Sequence, residues 1–274
     1  NVYTFTNLKS GTNYNIKVRV TNGVEMQADK ETDNSIDITD DVTTTGDGLY
    51  EDEYEDEKYV YKGKSPNNYI SFNNELWRIL SVESDGSLKI IRDNYIGDMT
   101  FDTSGGIHGN NNWDRPADIK TYLNNDYFST ITTNKSQVAS HTWSIGKIEN
   151  ANTDLAGQIN NETTIKWNGK IGLITLSEYL ITNLNISKCL TYTSYTNNYN
   201  TCISTTWLFN SSGSWWTLSP VSSFSNMVFR IDKIGSIGGD VVYSSSGVRP
   251  ALYLSSDILL SETGTKNDPF QIIN

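Results

Sequence analysis

Trp216-Thr217-Leu218-Ser219-Pro220 and, nearer the end of the chain, Gly247-Val248-Arg249-Pro250-Ala251-Leu252 are the stretches whose reading decides the fold. The first is a short apolar run closed by proline, and the second leads into Ala251-Leu252-Tyr253-Leu254. Between them stand Met227-Val228-Phe229-Arg230 and Val241-Val242-Tyr243. Runs of this length, rich in aromatic and β-branched residues and bounded by Gly, Ser and Asn, predict strands joined by tight turns.

Upstream the pattern repeats. Tyr59-Val60-Tyr61, Tyr69-Ile70-Ser71-Phe72, Leu76-Trp77-Arg78-Ile79-Leu80 and Leu88-Lys89-Ile90-Ile91 predict a meander, with turns at Lys62-Gly63, Asn73-Asn74 and Ser84-Asp85-Gly86. Trp77, mid-strand among aliphatics, reads as core. Pro116 suits a first helical turn. Ile119, Tyr122 and Leu123 then recur at helical spacing, which predicts a helix over 118–128. A second helix is expected from Ser177 as N-cap, after a strand at Ile171–Leu176. The fold class is therefore α+β, with twisted antiparallel sheets and two helices over residues 58–274.

The net charge of -11 is unevenly spread. Residues 1–24 carry +3 and residues 25–57 carry -13, which leaves the rest near neutral. No basic stripe offers itself to nucleic acid, and no apolar run approaches the roughly 20 residues of a membrane span. In residues 46–57 the run Glu51-Asp52-Glu53-Tyr54-Glu55-Asp56-Glu57 reads as a self-repelling, extended linker. Its acids could alternatively hold calcium between domains, although EF-hand spacing is absent. Residues 1–45 open directly in strand, which reads as a fragment of a longer protein. Tyr14, Ile16, Val18 and Val20 alternate with polar residues after a turn at Gly11. Ser35–Thr39 is a candidate last strand of this part.

Cys189 and Cys202 form an isolated pair, far from His108 and His141, so a disulfide is preferred over zinc. It implies an oxidising, extracellular address. Motifs for serine hydrolysis, zinc proteolysis or phosphate binding are missing. Asp102 and Asp114 flank a Gly/Asn-rich loop with His108, but spacing alone makes no catalytic site, and such loop acids read as solvated. Asn110-Asn111-Asn112-Trp113-Asp114 is superficially like a lectin calcium motif, yet it precedes the first helix, the wrong place for that site.

Two resemblances add to this reading. Leu8-x-x-Gly11-Thr12-x-Tyr14-x-Ile16-x-Val18-x-Val20 resembles the late strands of a fibronectin type III domain, which implies that residues 1–45 are a partial all-β module with a tyrosine corner. From Tyr61-Lys62-Gly63-Lys64-Ser65-Pro66 through Trp216–Pro220, Gly247–Leu252 and Gly264–Phe270, residues 58–274 resemble a surface domain of unassigned function from Gram-positive bacteria. That resemblance implies a C-type lectin-like fold, related to variable receptors and to formylglycine-generating enzymes. It makes Arg249 a buried structural fork and places Trp216 in the core. Cys189 and Cys202 then sit in an insertion and match no catalytic cysteine motif.

Neighbouring residues on a strand face opposite ways, so an inward Trp216 turns Trp215 outward, unless the cysteine loop covers it. The expected ligand surface is Trp215, Phe224, Asn226 and Tyr243, just ahead of Gly247-Val248-Arg249. The functional expectation is a secreted or cell-surface adhesion and recognition module, not an enzyme, with a glycan or a host or bacterial surface protein as partner and neither metal nor cofactor. A structural stalk domain is the alternative, and a lectin-fold enzyme a more distant one.

Overall fold

Residues 14–17, 29–32, 35–103, 110–115, 117–149 and 153–273 are described in the computed structural model. Glu75–Val82 is the strand around which the larger sheet is built, and its last six residues are buried. Burial on both faces demands an apolar run rather than alternation, which Trp77, Ile79, Leu80 and Val82 supply. Tyr69–Phe72 folds back on it through Asn73-Asn74, both with positive φ (53° and 58°). Asparagine tolerates that conformation, and a two-residue turn of this hand follows the strand twist.

The ten-stranded sheet runs Ile171–Gly172, Ala251–Leu254, Leu88–Arg92, Glu75–Val82, Tyr69–Phe72, Phe270–Ile273, Leu259–Ser261. Tyr59–Lys62 also pairs with Glu75–Val82, and Gly48–Glu51 pairs with Tyr59–Lys62. A five-stranded sheet orders Ile237–Val241, Met227–Ile231, Trp215–Pro220, Ser245–Gly247 and Asp98–Thr100. Phe270–Ile273 lies parallel to Tyr69–Phe72, and Trp215 pairs in parallel with Gly247, so both sheets are mixed rather than antiparallel throughout. His141–Ser144 and Lys166–Gly169 form a separate two-stranded ribbon.

The helical content exceeds the two helices expected. Helix α1 (Asp118–Tyr122) passes through a wide turn at Leu123–Tyr127 into α2 (Phe128–Thr130). In that turn Asn124 donates to Ile171 O (2.8 Å) and accepts from Ile171 N (3.1 Å), which ties the helix to the sheet edge. Helix α3 (Leu155–Glu162) is capped by Asp154. Helix α4 (Leu176–Ile181) begins two residues earlier than expected, with Thr175 as N-cap and Glu178 closing a capping box. The preceding strand is only Ile171–Gly172. The cysteine segment is a pair of helices, α5 (Ile186–Cys189) and α6 (Tyr192–Cys202), joined by the Cys189–Cys202 disulfide with Cα atoms 5.5 Å apart.

The acidic segment is not a free linker. Gly48–Glu51 is an integral strand, and Leu49 is buried in the main core together with Ile38. Leu49 is turned into the core, while Gly48 and Tyr50 on either side are half-buried and Glu51 at the strand's end is exposed. Ser35–Thr39 is no strand either; Ile36 makes a single bridge to Leu260, and Asp37 caps a short helical turn at Ile38–Asp41. Within residues 1–45, Tyr14–Lys17 pairs antiparallel with Asp29–Thr32. Leu8, Gly11, Val18 and Val20, as well as His108 and Pro116, lie outside the described residues.

Candidate functional site

Ser81, Lys89 and Tyr253 stand side by side on three adjacent strands, in register across the larger sheet. They form the floor of a cavity of about 410 Å³. Lys89 is almost fully buried, with Nζ 4.6 Å from the Trp143 ring centre and 4.9 Å from that of Tyr253. Such rings stabilise an ammonium through their quadrupoles. Trp143 can lie this close to the sheet because a Cβ on Gly172 would meet its ring at 2.8 Å. His141 stacks on the outer part of Tyr253, centroids 3.7 Å apart.

Helices α3 and α4 form the opposite wall and contribute Glu162, Thr163, Ser177 and Glu178. The ribbon adds Thr142, Ser144 and Lys166 along one side. Asp52, Tyr54, Glu55 and Lys58 make the lip, so the acidic segment belongs to the cavity mouth.

The interior charges are mostly matched. Lys89 is ion-paired with Glu178, whose other oxygen accepts from Thr175 N at 2.7 Å in the capping box. Lys58 Nζ lies 3.1 Å from Glu83 Oε2 and 3.0 Å from Glu55 Oε2. Burial alone would lower the Lys58 pKa, but Glu83, Glu178 and Glu55 together hold it above its ordinary value. Burial would likewise raise Glu83; Lys58, Lys89 and the Ser81 hydroxyl outweigh it and hold this carboxyl low.

Glu162 differs. It accepts from Ser219 Oγ (2.6 Å) and Ser177 N (3.3 Å), neutral donors both, and has no ion-pair partner among the described residues. Burial pushes its carboxyl up to about 7, and nearby Glu178 adds to the rise against the pull of the two serines. Asp52 is also raised by burial, with only partial relief from Tyr54 N and Lys58. Among the described residues no group of three or more His, Cys, Asp or Glu side chains is arranged to hold a metal, at the acidic lip or elsewhere.

Of the residues expected to form one ligand patch, Trp215 does not join the others. Trp215 is 1% exposed, against 49% for Phe224 and 47% for Tyr243. The reason is that Trp215–Pro220 is covered on both faces. Trp216 packs on Phe101 and donates to Met99 O at 2.9 Å. Trp215 meets Tyr179, itself backed by Tyr195 of the disulfide-linked helices, and the guanidinium of Arg249 lies 5.1 Å from its ring centre. Arg249 is buried and donates to Arg92 O (3.1 Å) and Leu208 O (2.9 Å). Trp215 pairs with Ile231, whereas Asn226 sits at the other end of the hairpin, its carbonyl accepting from Val242 N at 2.9 Å next to Tyr243. Asn111, in the stretch like a calcium motif, donates to the carbonyls of Val221, Phe224 and Met227 and so clamps the loop that carries Phe224. Asp102 is buried and Asp114 is exposed beside Lys120.

Sequence reasoning passed over Lys58, Glu83, Lys89, Glu162 and Glu178. One signal was available for Lys89, a charged residue inside the apolar strand run Leu88–Ile91. Another was Thr175-x-x-Glu178, a capping box that fixes where Glu178 points.

A family described as Domain of unknown function (DUF6273) matches residues 85–256. That span takes in Lys89, His141, Glu162, Glu178 and Tyr253, but not the lip. No curated protein and no solved structure matches the chain.

Proposed function

Because the chain belongs to the DUF6273 family, which carries no assigned activity, we propose from the geometry that it is a recognition domain holding a small polar ligand in the cleft between the larger sheet and helices α3 and α4. The observation that supports this most is the concentration of buried ionisable side chains around one cavity of about 410 Å³. Such groups are costly to bury, and a core with only a structural role is filled with apolar side chains more cheaply. The volume falls within the roughly 300–1,000 Å³ of small-molecule sites. The ligand can be free or the terminal group of a glycan or surface protein. Phe224, Asn226 and Tyr243, on the exposed hairpin end, are a place for a larger partner to rest.

The disulfide is consistent with a secreted or cell-surface setting. We assign the architecture to the C-type lectin-like class, and the residues ahead of Ile36 to a fibronectin type III remnant. The order of the Trp216–Pro220 and Gly247–Leu252 segments and the carbonyl-bonded Arg249 support the former. The test is a thermal-shift screen of sugars, amino acids and short peptides against the wild type and Thr163→Trp, which fills the cleft. Ligands that stabilise the first and not the second are expected. A ligand that stabilises both equally moves the site elsewhere.

A further inference from the structure

The geometry points to a primary ammonium as the group this cleft recognises, an amine-bearing small ligand whose cation sits against Glu162 and Asp52. The inference rests on the cleft being the binding site and adds the chemistry of its occupant. Five carboxyls line the cavity, those of Asp52, Glu55, Glu83, Glu162 and Glu178, against three lysines. The two interior lysines are already engaged, Lys58 by Glu83 and Glu55 and Lys89 by Glu178 and two aromatic rings. Lys166, on the ribbon, is exposed. An anionic ligand therefore finds no free buried cation and meets excess carboxylate. A neutral ligand leaves Glu162 buried without a counter-charge, the costly state for an acid. An ammonium supplies the missing partner.

Two further features favour a cation. The lip runs Asp52-Glu53-Tyr54-Glu55-Asp56-Glu57, so the mouth carries a negative field that draws cations inward. Tyr54, partly exposed there, offers a ring face to a passing ammonium. Thr142, Ser144 and Thr163 line the remaining surface with hydroxyls suited to the polar frame that bears the amine.

Arrival of an ammonium favours the ionised form of Glu162. With its carboxyl pushed up to about 7, binding near neutral pH displaces part of a proton into the buffer, and affinity for an amine that stays protonated rises as pH increases from 5.5 to 8. The titratable groups that line the cavity with it are Glu178 from α4, Lys89, Tyr253 and Glu83 from the sheet and its turn, Asp52, Tyr54, Glu55 and Lys58 from the lip, and His141 and Lys166 from the ribbon. The Glu162→Gln variant isolates its share.

The experiment is isothermal titration calorimetry at pH 7 in two buffers of different ionisation enthalpy. The probes are glucosamine and Nα-acetyl-lysine amide, each beside its N-acetylated counterpart, N-acetylglucosamine and Nα,Nε-diacetyl-lysine amide. At least one free amine is expected to bind with proton release, and its blocked counterpart at least tenfold more weakly. Glu162→Gln is expected to lose tenfold or more in affinity and most of the release, while still melting cooperatively. The tighter of the two amines identifies the frame. Blocked probes that bind as well as the free amines, and lose binding in Thr163→Trp, overturn the ammonium proposal and leave the cleft as the site. Amine binding that survives Thr163→Trp overturns both. Failure of both free amines to bind overturns the ammonium proposal.

Discussion

Ser219 Oγ lies 2.6 Å from Glu162 Oε1, although the two residues are 57 positions apart in the chain. The same oxygen accepts from Leu176 N at 2.8 Å, so one hydroxyl joins the Trp215–Pro220 strand to both helices of the cleft wall. The serine of the Trp-Thr-Leu-Ser-Pro run is thus the residue that couples the fold's core strand to the site.

That coupling gives Glu162 a measurable signature. Its folded-state pKa is about 7 against an ordinary 4.5, so its stabilising contribution is complete below pH 4.5 and is lost as pH rises towards and through 7. The loss is about 3 kcal/mol in all. Glu162→Gln, which cannot ionise, is expected to melt with the wild type at pH 5 and about 5 °C or more above it at pH 8. Equal melting temperatures at both pH values would show that this carboxyl is not desolvated.

Arg249 has its Nε and Nη1 committed to two carbonyls and its face to Trp215. Arg249→Ala leaves those carbonyls buried and unpaired and is expected to cost at least about 3 kcal/mol in urea unfolding. Lysine cannot reproduce the fork, so Arg249→Lys should recover little. A neutral alanine variant contradicts the structural role.

The two aromatics once grouped in a single patch should separate cleanly. Trp215→Ala opens a core cavity and is expected to cost about 3–5 kcal/mol. Phe224→Ala, on an exposed side chain, should stay within about 0.5 kcal/mol of the wild type. Comparable losses for both would place Phe224 in the core.

Limited proteolysis with a glutamate-specific enzyme reads the acidic lip. Residues 48–51 are paired and Leu49 is buried, so protection of this stretch is expected without calcium. Leu49→Ala, at a cost of about 3 kcal/mol, should release it. Early cleavage after Glu51 in the wild type would return it to a linker.

The cysteines give the simplest assay. Thiol titration of the denatured, unreduced protein should find no free thiol, and replacing both by serine should cost about 3 kcal/mol. Two reactive thiols would refute the bridge.

Strands were legible because their apolar runs and turn residues were strong local signals: Asn73-Asn74 and Trp77 read the same way in sequence and structure. Helix α3 was not, because the face it buries carries Leu155, Gln158 and Glu162. Two of those three are polar, and periodicity of apolar residues therefore fails on the helix that builds the site. In α6 the stripe is Tyr192, Tyr195, Tyr199 and Cys202, which read as a polar loop. The acidic run misled for the converse reason: counting charge hid the single inward Leu49. The cleft itself depends on residues far apart in sequence, from Asp52 to Tyr253, and no local pattern brings them together.

The edge of the larger sheet has a mechanical meaning. Ile36 N donates to Leu260 O at 2.7 Å, and Leu260 pairs in turn with Ile272. The path of the chain into this domain and its path out therefore meet at one rim, on strands separate from those that floor the cleft. Tension applied across the two ends bears first on that rim and peels Ile36 from Leu260, while Ser81, Lys89 and Tyr253 carry none of the initial load.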